Sequence, residues 1–82
     1  MMGEYASGFY ERLGWALKSH RKHKKVSQAE IAKVVGVTFQ QIQKYESGDN
    51  RIPVDKLDDY CSYLGVRYKW MVEHAKGKLI ES

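Results

Sequence analysis

Two helix-start signals lie eleven residues apart in this sequence, and a glycine separates them. Ser27 and Glu30 form the pattern S-x-x-E, a capping box in which each side chain satisfies a free backbone N–H group at a helix N-terminus. Thr38 and Gln41 repeat the signal. Gly36, between the two, suits the left-handed conformation that commonly follows the last turn of a helix. The pattern predicts two short helices joined by a tight turn, which is a helix-turn-helix arrangement.

The rest of the chain also favours helices. Apolar residues recur at helical spacing, strand-like alternation is absent, and the only proline, Pro53, suits a helix start because its missing N–H costs nothing there. We predict an all-α fold of five helices in a single domain, residues 1–82. The first helix is predicted over about residues 5–22 and the helix-turn-helix over about 27–47. A fourth helix begins at Pro53 and ends at Gly65, and a fifth begins at about residue 67. The packed core spans about 9–72, and a frayed tail follows over about 76–82.

The same spacing predicts which side chains face the core. Small Ala32 lets the two helices of the helix-turn-helix approach closely, while Val37 and Ile42 fill the corner between them. The other residues assigned to inner faces are Phe9, Leu13, Ala16, Leu17, His20, Ala29, Ile31, Val35, Tyr45, Leu57, Tyr60, Cys61, Leu64, Met71 and Val72.

Four aromatic residues leave alternatives open. Tyr63, Tyr68 and Trp70 are assigned mainly to the core, with a dimer contact as the alternative. Trp15 falls off the apolar stripe of the first helix. It either marks a contact with a protein partner or is covered by the N-terminal segment.

The third helix has little to bury, so its outer side is free. Phe39, Gln40, Gln43 and Lys44 fall on that side. Gln can pair with adenine N6 and N7, Lys can donate to guanine O6 and N7, and Phe can rest on a thymine methyl group. An isolated polar helix would more often be a solvated surface, but the preceding helix and glycine turn favour a helix that enters the DNA major groove.

Charge and cysteine content limit the setting. The whole net charge of +4 lies in residues 1–53, which carry nine Lys or Arg and five Asp or Glu, whereas residues 54–82 carry five of each. This one-sided surplus suggests an anionic partner, with nucleic acid as the first candidate. The single cysteine, Cys61, excludes a disulfide within these residues and favours a reducing, cytoplasmic setting. No apolar run approaches the roughly 18 residues of a membrane span.

Catalysis and metal binding have little support in the sequence. His20 and His23 stand three residues apart, a spacing that can bind a metal ion, but no third ligand lies nearby in sequence. No Ser, His or acidic residues show a spacing with a catalytic mechanism behind it. We therefore predict no enzyme, no cofactor and no metal site.

The stretch "SQAEIAKVVGVTFQQIQKYESGDNRIP" closely resembles the helix-turn-helix of the phage Cro/C1 repressor family, also called the XRE family. The resemblance covers roughly residues 9–72 and extends to "YLGV" before the fifth helix. It implies a compact five-helix lambda-repressor-like fold of prokaryotic or phage origin. It also implies a sequence-specific regulator of transcription that binds double-stranded DNA, acting as a repressor by occupying an operator.

The resemblance also implies roles for individual residues. The residues that read bases would be Phe39, Gln40 and Lys44, with Gln43 beside them toward a base or phosphate. Contacts with the DNA backbone would come from Gln28, Thr38, Gln41, Asn50 and Arg51. Arg21 and Glu46 would form a structural ion pair between the first helix and the end of the third. Lys25 stands where the family often has glycine, so a strained backbone or a differently shaped connection is expected there.

Other functions remain open at this point. The chain could be the antitoxin or controller component of a small operon, or a protein-binding adaptor that kept the fold without DNA binding. For a DNA-binding protein we expect a homodimer, because one short helix reads only a few base pairs.

Overall fold

The computed structural model describes residues 8–77 and contains five helices in that range. The prediction of an all-α, five-helix fold is confirmed. The first helix begins at Phe9, and both residues 5–7 of its predicted range and most of the predicted tail lie outside the described residues. No helix within the described range is long and apolar enough to cross a membrane. The helices are α1 (Phe9–His23), α2 (Gln28–Val35), α3 (Phe39–Ser47), α4 (Val54–Tyr63) and α5 (Tyr68–Lys76).

Both predicted helix starts are present, each with half of its capping box. The Ser27 hydroxyl accepts from the Glu30 backbone N–H at 3.0 Å, and the Thr38 hydroxyl accepts from that of Gln41 at 3.1 Å. The returning halves are replaced by tertiary contacts. Glu30 accepts from the Tyr63 hydroxyl of α4, and the Gln41 amide donates to Asn50 Oδ1 at 2.9 Å. Each cap therefore also ties its helix to a more distant segment.

Two positions in the connections carry a positive φ, which the sequence predicted for Gly36 and left as one of two alternatives for Lys25. Gly36 ends α2 at φ 82°, and its backbone N–H donates to the Ala32 carbonyl at 2.8 Å. Lys25, before α2, adopts φ 61°, so the strained alternative for this connection is the one that the structure takes. A non-glycine residue in this region costs roughly 1–2 kcal/mol relative to a right-handed conformation.

The core lies where α1 packs against α3 and α5 and where α2 packs against α3 and α4. Its fully buried side chains come from all five helices and are Leu13, Leu17, Ile31, Ile42, Tyr60, Cys61 and Met71. Burial, together with the charge of nearby Asp58, raises the pKa of the Cys61 thiol to about 12. This cysteine is therefore a protonated packing residue at neutral pH.

The core assignment was wrong for three residues. Trp70 is 41% exposed, and its ring stacks on His74 with centroids 5.1 Å apart. Tyr63 is 46% exposed and reaches Glu30 across the surface. Ala29 is exposed as well. Tyr68 packs against the core as predicted. Large aromatic rings tolerate both settings, so spacing alone did not decide which of them the helix faces bury.

Candidate nucleic-acid interface

The exposed side of α3 is the centre of the candidate interface. Ile42 and Tyr45 hold the helix to the core, at 0% and 7% exposure. The four residues predicted to read bases all lie on its exposed part: Phe39, which is 44% exposed, and Gln40, Gln43 and Lys44. The structure therefore presents these four side chains together on one short helix.

The close approach of α1 to α3 depends on one glycine. A Cβ atom added to Gly14 would lie 2.4 Å from the carbonyl oxygen of Glu46 and 2.5 Å from that of Tyr45. No side chain fits at those distances without movement of one backbone. Gly14 thus lets the backbone of α3 rest directly on α1, which sets how the exposed side of α3 is held.

A buried hydrogen-bonded network anchors the C-terminal end of α3. The guanidinium of Arg21 donates to Glu46 through Nε at 2.7 Å and Nη2 at 3.0 Å, and Tyr60 Oη donates to the same carboxylate at 2.5 Å. Arg21 Nη1 also donates to the Val26 carbonyl at 2.8 Å. Arg21 and Glu46 thus form the ion pair expected between α1 and α3, and Tyr60 of α4 joins it.

The electrostatics of this network keep Glu46 ionised. Burial raises the pKa of the Glu46 carboxyl group, but hydrogen bonds from Arg21, Tyr60 and Gln28 outweigh it and leave the pKa below its usual value. Burial and the hydrogen bond to Glu46 raise the pKa of the Tyr60 hydroxyl group, which therefore stays protonated and serves as a donor. A buried carboxylate with these donors is fully satisfied.

Gln28 lies at the first turn of α2, where a phosphate contact was predicted. It is half-buried, and its amide Nε2 donates to Glu46 Oε1 at 3.0 Å. Its oxygen Oε1 accepts from Gln43 Nε2 at 3.4 Å. Gln28 therefore connects the buried network to the exposed side of α3. A polar recess of about 270 Å³ lies here and is lined by Lys18, Gln28, Gln43, Glu46 and Ser47.

The turn after α3 holds two more of the predicted backbone contacts, Asn50 and Arg51, while Thr38 and Gln41 lie at the start of α3. Gly48 ends α3 at φ 85°, and the Asn50 backbone N–H donates to the Lys44 carbonyl at 3.2 Å. Asn50 also accepts from Gln41, so two predicted phosphate ligands bind each other here. Arg51 is exposed, with Cζ 5.3 Å from the centre of the Tyr10 ring. The turn is thus ordered by α3 and by α1.

Sequence reasoning missed two residues and two hydrogen bonds at this site. Tyr60 was assigned only to the core, Lys18 was not considered, and the bonds of Gln28 to Glu46 and Gln43 were not foreseen. These contacts join residues 14 to 18 positions apart, and no local pattern signals them. Among the described residues no group of three or more His, Cys, Asp or Glu side chains is placed to hold a metal ion.

Comparisons with known proteins place this chain in a family. The family model described as "HTH_3: Helix-turn-helix" matches residues 17–71. The chain is 36% identical over 61 residues to an uncharacterized HTH-type transcriptional regulator, y4aM, of Sinorhizobium fredii, covering 74% of this chain and 43% of that protein. It is 30% identical over 56 residues to the antitoxin PezA of Streptococcus pneumoniae, covering 68% of this chain and 35% of that one. The chain thus spans less than half the length of these two relatives.

A solved structure shows the same fold. The clp gene regulator ClgR of Corynebacterium glutamicum matches with a TM-score of 0.80 and 28% identity, over 88% of this chain and 77% of that chain. The sequence match and the five-helix architecture agree with each other. The chain belongs to the helix-turn-helix family of Cro/C1 (XRE) type, a family of transcriptional regulators rather than of enzymes.

Proposed function

We propose that this chain binds double-stranded DNA in a sequence-specific manner and regulates transcription, with α3 entering the major groove. One observation carries the proposal. Phe39, Gln40, Gln43 and Lys44 stand exposed on α3, while its other side is fixed on the core by Ile42. These side chains offer donors, acceptors and an apolar edge, which are the groups that distinguish base pairs in that groove.

The remaining contacts would position the protein on the DNA backbone. The N-termini of α2 and α3 each supply free backbone N–H groups that suit a phosphate, near Gln28 and Thr38. Arg51, with Asn50 beside it, would contact a phosphate from the turn after α3. Gln28 would meet DNA mainly through its backbone, because its side-chain amide is already bonded to Glu46. Such contacts set orientation and carry no sequence information.

We further propose that the protein acts as a repressor, by occupying an operator, and that it binds as a homodimer. The support for repression is the likeness to the Cro/C1 type. The support for a dimer is the short α3, since one helix reads only a few base pairs. The exposed rings of Trp15 and Trp70 are candidates for contacts with the second copy or with another protein. Light scattering of the DNA complex would test the dimer, and one protein per operator at saturation would contradict it.

Selection of bound sequences from a random duplex pool tests the main proposal. We expect enrichment of a site with half-sites about one helical turn apart. Affinity for that site should fall steeply as the salt concentration increases, because protein binding releases cations from the phosphates and added salt opposes that release. An adaptor that kept the fold without DNA binding would enrich no sequence and show no salt-dependent binding.

A second candidate is the antitoxin component of a small operon, which the 30% identity to the antitoxin PezA supports. An antitoxin would bind both DNA and a protein partner. Co-expression with the products of neighbouring genes, followed by purification and light scattering, would test this candidate. A stable complex with one of them, which also neutralises that protein's growth inhibition, is the expected result for an antitoxin.

A further inference from the structure

We propose that Glu46 determines which end of the Gln43 side-chain amide is offered to DNA, so that Gln43 presents a hydrogen-bond acceptor to the base it reads. The inference rests on the proposed function, because it concerns how the same surface would select a base. It follows from a chain of contacts that runs from the buried Arg21 through Glu46 and Gln28 to Gln43 on the exposed side of α3.

Glu46 is the fixed end of this chain of contacts. Its carboxylate is buried and accepts hydrogen bonds from Arg21 at 2.7 and 3.0 Å and from Tyr60 at 2.5 Å. These donors keep it ionised. An ionised carboxylate can only accept hydrogen bonds. Any side chain that touches Glu46 must therefore turn an N–H or O–H group toward it.

This requirement orients Gln28. The Gln28 amide group must direct its NH₂ end to Glu46, and the distance from Nε2 to Oε1 is 3.0 Å. The opposite orientation would place the amide oxygen against a buried carboxylate and would remove one of its donors, which is costly inside a protein. The Gln28 oxygen therefore faces away from Glu46 and toward Gln43.

The orientation of Gln28 in turn orients Gln43. Gln43 Nε2 lies 3.4 Å from Gln28 Oε1, a long hydrogen bond that nevertheless has only one workable direction. A flipped Gln43 would bring two amide oxygens together, neither of which can donate. With its NH₂ end directed to Gln28, Gln43 has its oxygen Oε1 to offer to DNA.

An acceptor in the major groove distinguishes two classes of base. Adenine and cytosine carry exocyclic amines there, at N6 and N4, whereas guanine and thymine carry the oxygens O6 and O4. Gln43 should therefore favour an amine-bearing base at its position. A preference of about fivefold or more over an oxygen-bearing base corresponds to one well-formed contact.

The substitution Gln43→Glu tests the acceptor directly. Glutamate keeps an acceptor of the same length and cannot donate. On the selected duplex and its single-base variants, we expect Gln43→Glu to keep the preference for the amine-bearing base and Gln43→Ala to lose it. The added negative charge should lower affinity for all duplexes alike. Loss of the preference in both variants, or a wild-type preference for guanine or thymine at this position, would overturn the proposal.

The substitution Gln28→Met tests whether Glu46 acts through Gln28. Methionine has a similar length but no amide, so Gln43 would lose its orienting partner. The ratio of affinities for the amine-bearing and the oxygen-bearing base at the Gln43 position should fall by about threefold, which corresponds to the loss of one modest hydrogen bond. Ser62→Ala is the control, because it removes one exposed side-chain hydrogen bond, from Ser62 to Asp58 on α4, and neither residue belongs to this chain of contacts or to the candidate interface. An unchanged preference in Gln28→Met would show that Gln28 does not position Gln43.

Nuclear magnetic resonance of the free protein separates this inference from the proposed function. The Gln28 side-chain amide should have one proton shifted downfield by the Glu46 carboxylate, and Gln28→Met, but not Ser62→Ala, should move the Gln43 amide resonances. Absence of these effects would overturn the amide orientation even if DNA binding were intact. Their presence in a protein that binds no duplex would overturn the proposed function and leave the orientation standing.

Discussion

Arg21 and Glu46 lie 25 positions apart and connect α1 to the end of α3 through two hydrogen bonds, at 2.7 and 3.0 Å. Their side chains are only 7% and 2% exposed. A buried ion pair of this kind adds little net stability over a well-packed apolar pair, but loss of one partner leaves an unpaired buried charge. The pair therefore holds the exposed side of α3 in a defined position relative to α1.

Substitution of Arg21 should be strongly destabilising. Arg21→Ala leaves the Glu46 carboxylate buried without its main partner, and we expect a loss of about 3–5 kcal/mol in the free energy of unfolding. Urea denaturation followed by circular dichroism would measure it. Glu73→Gln, which breaks the more exposed pair between Glu73 and Lys76, is the control and should cost under about 1 kcal/mol. Similar losses in both variants would contradict this account of the network.

Stability should fall in acid partly through Glu46. Because the folded-state pKa of Glu46 lies below its ordinary value of 4.5, the group stabilises the fold above about pH 4.5 and loses that contribution as pH falls through the lowered folded pKa. We expect the free energy of unfolding of the wild type, measured in urea, to fall over this range more than that of Glu46→Gln, which cannot titrate there. Parallel pH profiles for the two proteins would mean that Glu46 does not contribute in this way.

Gly14 should not tolerate even one added methyl group. In an ordinary helix Gly→Ala stabilises by roughly 0.5–1 kcal/mol, but here the new Cβ would meet two carbonyl groups of α3. We expect Gly14→Ala to cost about 1–3 kcal/mol and to lower DNA affinity, because α3 must move. Gly36→Ala is the comparison: it is strained at φ 82° but meets nothing within 4 Å.

Gly36→Ala should therefore also lower the free energy of unfolding. For the same loss of stability, it should reduce DNA affinity less than Gly14→Ala does. Thermal unfolding and duplex binding measured on the same samples would separate the two effects. A Gly14→Ala protein as stable as the wild type would contradict the close packing of α1 and α3.

Arg51 should contribute to affinity without contributing to sequence preference. Arg51→Ala should weaken binding to the selected site and to random duplex by similar factors, and should flatten the slope of log affinity against log salt by about one unit. Lys69→Ala, an exposed charge on α5, is the matched control for loss of one positive charge. If the slope of log affinity against log salt flattened equally in both variants, Arg51 would not be a phosphate contact.

The fold was predictable because its signals are local. Ser27 and Thr38 start their helices through contacts three residues away, and Gly36 ends α2 by its own conformation. The family resemblance supplied the pair of Arg21 and Glu46, which local patterns alone do not indicate. Spacing within each helix also identified the exposed side of α3.

The wrong core assignments and the unforeseen hydrogen bonds depend on contacts between distant segments. Trp70 and Tyr63 sit at helix positions that spacing allows either in the core or at its edge, and their distant partners, His20 and Glu30, leave them at the surface. The position of Gln28 predicted a phosphate contact, and spacing gave no sign that a carboxylate 18 residues away would also bind its side chain. Such pairings depend on how helices pack, which a single sequence does not reveal.

Binding of Gln40→Ala and Lys44→Ala to the selected duplex tests the central claim most directly. The two residues are four apart on α3 and exposed, so they project from one side and are not needed for folding. Each variant should lose about 1–3 kcal/mol of discrimination at one or two adjacent base pairs, with little change in affinity for random duplex and in stability. If both variants kept the wild-type profile across all single-base variants of the duplex, α3 would not be the element that reads DNA.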